Sequence, residues 1–428
     1  MTRVLSLSTY PIRKPMHGGQ RRVIALLDML VGAGAEVRYA AVYEPPYSSA
    51  DVGPDDLALG HSVPALSGVP FVGDFASGEF AANAPAAYRH FSSVFDSFKP
   101  VVVMLEHPFM WPLVRRWRED GRLGQPRLIY SSHNWEGPLK EKILLGAGVD
   151  ASLSAAIAGQ IEQMEKEICE SADLVLAVSE EDAAMYRAVA SGPVVVAPNG
   201  VGRPPPSFAA TGAARVFGSR PFLFYVGSAY PPNIQGFLNL VTPDGAYYVP
   251  PVMTFAVCGG VCDGIFRSPV YHRYVSGNSS RVQFFPNTSD SDLLTLKNAC
   301  HAILLPIQEG GGTNLKTAEA LASGKWVVTT STALRGFEAY REASGVVVAD
   351  TPADFRAAIT DVLKRSALQL SDDERTRRDE LYWDRALAAG GAEEAVRWLL
   401  LECSTNAAWR AEKRLAWGGT PEGPTRSE

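Results

Sequence analysis

Cysteine is scarce: Cys169, Cys258, Cys262, Cys300 and Cys403 are the only five in 428 residues. An odd, scattered set at that density does not staple a fold, which argues against a disulfide scaffold and for a reducing compartment. Cys258 and Cys262 stand four apart, but no second Cys/His pair completes a zinc site, so both read as buried thiols. Long apolar runs are missing too. No stretch reaches the roughly 18 residues that a membrane span needs, and the opening MTRVLSLSTYPIRKP lacks the apolar core of a signal peptide. A cytoplasmic location is expected, compatible with peripheral contact at the inner face of a membrane. Positive charge is in deficit, with 40 Lys and Arg against 46 Asp and Glu and a net charge of −6. A dedicated nucleic-acid binder would carry a basic stripe instead, so no nucleic-acid partner is expected.

What is present is a repeated alternation. Short apolar runs such as Val4 to Leu7, Val37 to Val42, Val101 to Leu105, Leu128 to Tyr130, Leu174 to Val178 and Val194 to Val196 read as strands. Between them lie helical patterns, one carrying Val23, Leu27, Leu30 and Val31 on one face, another carrying Ile157, Ile161, Met164 and Ile168. Ser179 followed by Asp182 resembles a capping box. Residues 201–220 then break the pattern with Pro, Gly, Ala and Ser and read as a linker. The alternation restarts with Phe222 to Val226, a helix after Asn233, and strands Thr254 to Val257, Ala302 to Leu305, Trp326 to Thr329 and Val346 to Val348. Buried strands alternating with helices predict an α/β fold with two doubly wound, Rossmann-like domains. Ligands in such folds bind outside the carboxyl ends of the strands, here expected in a cleft between the domains.

The segment Leu305 to Val328, LPIQEGGGTNLKTAEALASGKWVV, carries the most chemistry. A strand ends at Pro306, Gly310, Gly311 and Gly312 follow, and a helix is expected to begin near Thr313. Glycines allow close backbone approach, and a helix start offers free N–H groups with partial positive charge, which together suit a diphosphate. Thr313 and Asn314 add donors, Lys316 supplies charge for a departing diphosphate, and Glu319, one turn on, suits sugar or ribose hydroxyls. A glycine-rich turn before an ordinary amphipathic helix would explain the glycines alone; the ordered set Gly-Gly-Thr-Asn-x-Lys-x-x-Glu is more specific.

This segment resembles the donor signature of group 1 (family 4) glycosyltransferases, with Glu319, Ala320, Gly324, Val327 and Val328 at the matching positions. Pro198 to Val201, Val226-Gly227-Ser228 with Pro232-Asn233, Gly18-Gly19, Ser132-His133-Asn134 and Tyr382-Trp383-Asp384 fall in the family's order. The resemblance implies a GT-B fold. The expected domains are 1–200 on the acceptor side, a linker at 201–220, a nucleotide-sugar domain at 221–380, a helix at 381–405 returning to the first domain, and a tail at 406–428. It implies transfer of a sugar from a nucleotide-diphosphate sugar to a glycan, lipid-linked or other hydroxyl acceptor, with retention and without a cofactor or metal. Gly18, Gly19, Gly227, Ser228, Asn233, Gly311, Gly312, Thr313, Asn314, Lys316 and Glu319 are then donor-side candidates. Glu106 and His107, ending one strand, and His133, ending the next, join Lys316 as catalytic candidates.

The chain departs from the family's pattern in two places. Many relatives carry a second Glu eight positions before Glu319, where Gly311 stands here, and many place an Arg and a Lys after the Val-Gly turn, where this chain has Ser228, Tyr230 and Asn233. It lies closer to a branch with Gly-Gly-Thr-x-Leu-Lys. Arg21 is open between facing donor phosphates or acceptor and joining Arg22 in a basic helix face. Asp290-Ser291-Asp292 spells a metal-binding Asp-x-Asp, but just before a helix it reads as a cap. A nucleotide-sugar 2-epimerase-like enzyme and a non-catalytic nucleotide binder remain alternative readings of the same architecture.

Overall fold

A computed structural model describes residues 1–44, 47–60, 66, 68–122, 126–203, 212–218, 220–309 and 313–404. Gly310, Gly311 and Gly312, much of the expected linker and the tail after 404 lie outside the described residues. The chain divides into two compact units, 1–198 with 387–428 and 199–386.

In the first unit, β1 (Thr2–Ser8), β2 (Ala35–Tyr43), β3 (Leu57–Ala58), β4 (Val102–Glu106), β5 (Arg127–Ser131), β6 (Leu174–Ala177) and β7 (Val194–Val196) form one sheet ordered β3-β2-β1-β4-β5-β6-β7. Every described pairing is parallel. Both faces are covered, so whole strands are apolar rather than alternating; Val102 to Leu105 are all buried. Trp117, fully buried, donates its indole N–H to Ser92 Oγ at 3.1 Å. The helix Ala392–Ser404 packs on this unit against β1, β6, β7 and the helix Gly18–Gly32.

The second unit repeats the plan. Strands β8 (Phe222–Val226), β9 (Thr254–Cys258), β10 (Val282–Phe285), β11 (Ala302–Leu305), β12 (Trp326–Thr329) and β13 (Val346–Val348) are ordered β10-β9-β8-β11-β12-β13, again all parallel among the described pairings. Strand period 2 divides β8 between two cores: Leu223 and Tyr225 join one cluster, Phe222 and Phe224 the other. Two helical layers thus cover the sheet. Cys169, Cys258, Cys262 and Cys300 are buried free thiols.

The caps explain several helix starts. Ser179 Oγ accepts from Asp182 N at 3.1 Å and donates to its carboxylate at 2.7 Å. Ser289 treats Asp292 the same way, at 3.1 and 2.8 Å. Asp290 and Asp292 therefore lie within the first turn of the helix Asp290–Ala299 rather than before it. Two other starts also shift. Gly18 and Gly19 open the helix Gly18–Gly32, ahead of the apolar face that begins at Val23, and Asn233 sits inside the helix Pro231–Gly236 instead of preceding it.

One contact holds that last helix hard against the strand end. A Cβ added at Gly236 would lie 1.9 Å from the Pro306 carbonyl oxygen, a backbone atom that cannot rotate aside. Gly236→Ala should destabilise the second unit by about 1–3 kcal/mol, the usual range for overpacking. Urea unfolding checks it, and an unchanged midpoint would refute this backbone-to-backbone approach.

Candidate active site

Crossover connections leave β1 and β4 on opposite sides, and likewise β8 and β11, because the strand order reverses there. These are the switch points where open parallel sheets bind ligands. Both carry clusters of polar side chains.

At the first switch point, Tyr10 follows β1, while Glu106 and His107 end β4. Glu106 pairs with Ser131 across to β5, so His133 arrives alongside. The His107 and His133 rings approach to 3.9 Å between centroids. Tyr10 Oη lies 2.8 Å from His107 Nε2 and 3.5 Å from His133 Nδ1. His107 Nδ1 lies 3.3 Å from Glu136 Oε1, and His133 Nε2 lies 3.4 Å from Glu106 Oε2. All four partners other than Tyr10 are buried, Glu106 completely.

Burial drives the electrostatics here. It lifts the Glu106 carboxyl to about 7, against the opposing pull of the Arg22 charge and the Ser6 hydrogen bond. It pushes His133 well below the usual imidazole range, helped by the charge of Arg22. For Glu136 burial acts upward, but the His107 and Asn134 hydrogen bonds and the Lys140 charge outweigh it and hold the carboxyl below its ordinary value. Glu165, on the helix Ala151–Ser171, accepts from the Glu136 and Gly137 N–H groups at 3.0 and 3.2 Å, so it caps the helix Glu136–Gly146 from the side.

His107 also has φ 75° and ψ 163°. That region is left almost entirely to glycine and costs of order 1–3 kcal/mol, and such strain concentrates at functional sites. Gly19 is explained by the same cluster: its missing Cβ would lie 2.8 Å from Tyr10 Oη. The basic helix face expected of Arg21 and Arg22 holds only for exposed Arg21. Arg22 is 1% exposed and donates to the Ala197 and Ser132 carbonyls at 2.6 and 3.2 Å.

At the second switch point, Gly227 and Ser228 leave β8. Asn233 donates to Ser228 Oγ at 3.1 Å and accepts from Lys316 Nζ at 2.8 Å. The helix carrying Lys316 runs Leu315–Ala322, starting two residues later than expected, with Asn314 as the cap that accepts from Lys316 N at 3.0 Å. Thr313 accepts from Asn199 Nδ2 at its hydroxyl, 2.8 Å away. Burial pulls the Lys316 ammonium down to about 8, with Glu319 opposing the shift. Glu319 accepts from Lys297 Nζ at 2.9 Å, and both lysines and Glu319 line one small pocket with Phe224 and Leu305. Of the donor-side candidates, Ser228, Asn233, Asn314, Lys316 and Glu319 thus come together with Gly227. Gly311 and Gly312 lie outside the described residues, and Gly18 and Gly19 belong to the first unit.

Three participants were not anticipated. Tyr10 stands two residues past the end of β1, a position that the switch-point rule alone would have flagged. Glu136 follows the Ser-His-Asn run by two residues. Lys297 has no local signal, because it occupies an ordinary helical position on Asp290–Ala299.

A family model for glycosyltransferase family 4 matches residues 16–202, and one for glycosyl transferases group 1 matches residues 220–365. Comparison with curated protein sequences finds no match. Among solved structures, sucrose-phosphate synthase from Thermosynechococcus elongatus is similar at TM-score 0.67 and 18% identity, over 94% of this chain and 100% of that one. Anabaena HepE in complex with UDP and glucose gives 0.55 and 13%, over 94% and 98%. A trehalose-6-phosphate protein from E. coli bound with UDP-2-fluoro glucose gives 0.53 and 14%, over 94% and 98%. At these identities the likeness speaks for the fold, and the two family models speak for the lineage. The chain is a glycosyltransferase of the GT-B fold, pairing a family 4 domain with a group 1 domain.

Proposed function

We propose that the chain transfers a sugar from a nucleotide-diphosphate sugar to an acceptor hydroxyl with retention of configuration. The observation that carries this reading is Lys316, a half-buried ammonium with lowered proton affinity, held by Asn233 where β8 and β11 diverge. An ammonium so placed gains most when a diphosphate arrives, and gains again as charge builds on the leaving group. Uridine diphosphate is the first nucleotide to try, because relatives of the same fold were solved with UDP or a UDP-sugar. Glu319 is read as holding ribose or sugar hydroxyls while Lys297 fixes its carboxylate. Gly18, Gly19, Gly227, Thr313 and Asn314 complete the donor-side reading.

Glu106, His107 and His133 are read as the acceptor side. No enzyme nucleophile is required if the departing phosphate helps to take the acceptor proton, so the protein contributes positioning and electrostatics. The reaction is read as needing no resident metal, since Asp292 is engaged in capping with Ser289; transfer that persists in chelator checks this. Product formed from donor alone, as an epimer, would overturn transfer as the activity.

Lys316→Ala should lower kcat by about 10²-fold, the scale for losing one preorganised charge donor. Glu319→Gln should weaken UDP binding by about 1–3 kcal/mol, the range for a charged hydrogen bond. In the free protein Lys316 is charged below about 8, whereas the diphosphate is already fully ionised there, its last proton leaving near about 6. UDP affinity should therefore be full near pH 7 and fall as pH rises through 8. Calorimetric titration of wild type and both variants decides it: an affinity flat to pH 9.5 would remove Lys316 from the phosphate site.

His133→Ala should reduce turnover while UDP affinity changes little. Equal loss of both would move His133 to the donor side, and unchanged kinetics would make it a structural residue.

A further inference from the structure

The two histidines at the first switch point look at first like two separate histidine–carboxylate pairs, His107 with Glu136 and His133 with Glu106. Tyr10 changes that, because its single hydroxyl touches both rings. A hydroxyl has one proton to donate and lone pairs to accept with, and a neutral imidazole has one of each. Tyr10 can therefore serve both rings only if they present opposite nitrogens to it, one as acceptor and one as donor. Tautomers follow from such bookkeeping of the whole network.

The Glu136 end fixes the direction. Its carboxyl is the ionised one, because the Asn134 amide donates to it at 3.0 Å and the Lys140 charge favours the anion, so a neutral His107 must point its Nδ1 proton at it. His107 Nε2 is then a lone pair, and Tyr10 donates to it over 2.8 Å. The Tyr10 oxygen is left to accept from His133, which must carry its proton on Nδ1. His133 Nε2 is then also a lone pair, and the group facing it, Glu106, must be the donor. A completely buried Glu106 with its proton affinity raised to about 7 is suited to that role. Each link agrees with the next.

We infer that Tyr10 is a positioning residue that joins Glu106, His133, His107 and Glu136 into one directed proton wire. One step along the wire moves four protons. The Glu106 proton passes to His133 Nε2, the His133 Nδ1 proton to Tyr10, the Tyr10 proton to His107 Nε2 and the His107 Nδ1 proton to Glu136. Both imidazoles end neutral as the opposite tautomer, Glu136 ends protonated and Glu106 ends as the carboxylate. Negative charge thereby moves from Glu136 to the end of β4 without any proton leaving the protein. The two longest links, 3.4 and 3.5 Å, lie on the His133 side; catalytic hydrogen bonds of ligand-free enzymes are commonly long and tighten on binding. Resting on the acceptor-side reading, that shift would place a carboxylate beside the transferring sugar as positive charge develops there.

Other donors reach the two carboxyl groups at the ends of the wire, Ser6 at Glu106 and Asn134 at Glu136. Ser6 of β1, Arg22 of the helix Gly18–Gly32 and Ser131 of β5 face Glu106. Tyr39 and His17 face Tyr10, and Asn134, Lys140 and Glu165 face Glu136.

The test is the position of the ring protons, read by ¹⁵N NMR of the full-length protein labelled at histidine, between pH 6 and 8. In wild type, His133 should carry its proton on Nδ1 below about 7 and switch to Nε2 above it, as Glu106 loses its proton. Tyr10→Phe removes the acceptor for Nδ1, so His133 should carry its proton on Nε2 throughout. Glu106→Gln still donates an amide proton, so the Nδ1 form should persist throughout with no switch. A wild-type His133 with its proton on Nε2 at every pH, unchanged in Tyr10→Phe, would show two independent pairs and overturn the wire. Transfer assays separate the two readings: Tyr10→Phe should lower the rate at least about tenfold and abolish its inflection near pH 7. The expected tautomers with an unchanged rate would keep the wire and discard the acceptor-side reading.

Discussion

Parallel strands cannot be joined by tight turns, so the chain has to return by crossover connections, most of which carry a helix across a sheet face. Where the strand order reverses, at β1 and β4 and again at β8 and β11, successive crossovers go to opposite faces and leave the strand ends between them uncovered. Whatever side chains occupy those ends emerge from strands buried on both faces. They meet each other before they meet water. The chemistry of both candidate sites follows from that constraint.

The two sites answer it in different ways. In the first unit the strand ends carry His107, His133 and Glu106, none more than 9% exposed, and the cost of desolvating them is met by mutual hydrogen bonding. Removing one member leaves a buried partner unsatisfied, which is why such networks are all-or-none in character. In the second unit the desolvated group is a cation, Lys316, whose partners are a neutral amide, Asn233, and a carboxylate that Lys297 already engages. That site keeps unspent positive charge. A self-satisfied polar cluster suits orientation of a neutral hydroxyl, and an under-neutralised cation suits an anion.

Local features of this architecture were legible in the sequence. The apolar runs gave most strands, Ser179 with Asp182 gave a helix cap, and Glu106, His107, His133 and Lys316 were visible as polar residues at strand ends or a helix start. Long-range features were not. Arg22 looks like half of a basic surface pair, and only the fold turns it inward onto carbonyls at Ala197 and Ser132, more than a hundred residues away. Lys297 reaches Glu319 from a helix on another crossover. The short β3 and the edge strand β10 lack the uninterrupted apolar runs of the central strands, so period alone did not mark them. Gly19 is legible as a site candidate, but no local signal tells that its missing Cβ would meet the Tyr10 hydroxyl at 2.8 Å.

The backbone of His107 sets two kinds of selection against each other. Its φ of 75° suits glycine and not an imidazole, so a chain chosen only for resistance to heat would drift toward glycine at this position. It would lose the ring that meets Tyr10 and Glu136. Holding a histidine there is a standing energetic deficit, and lineages or libraries under thermal selection alone have no reason to keep it.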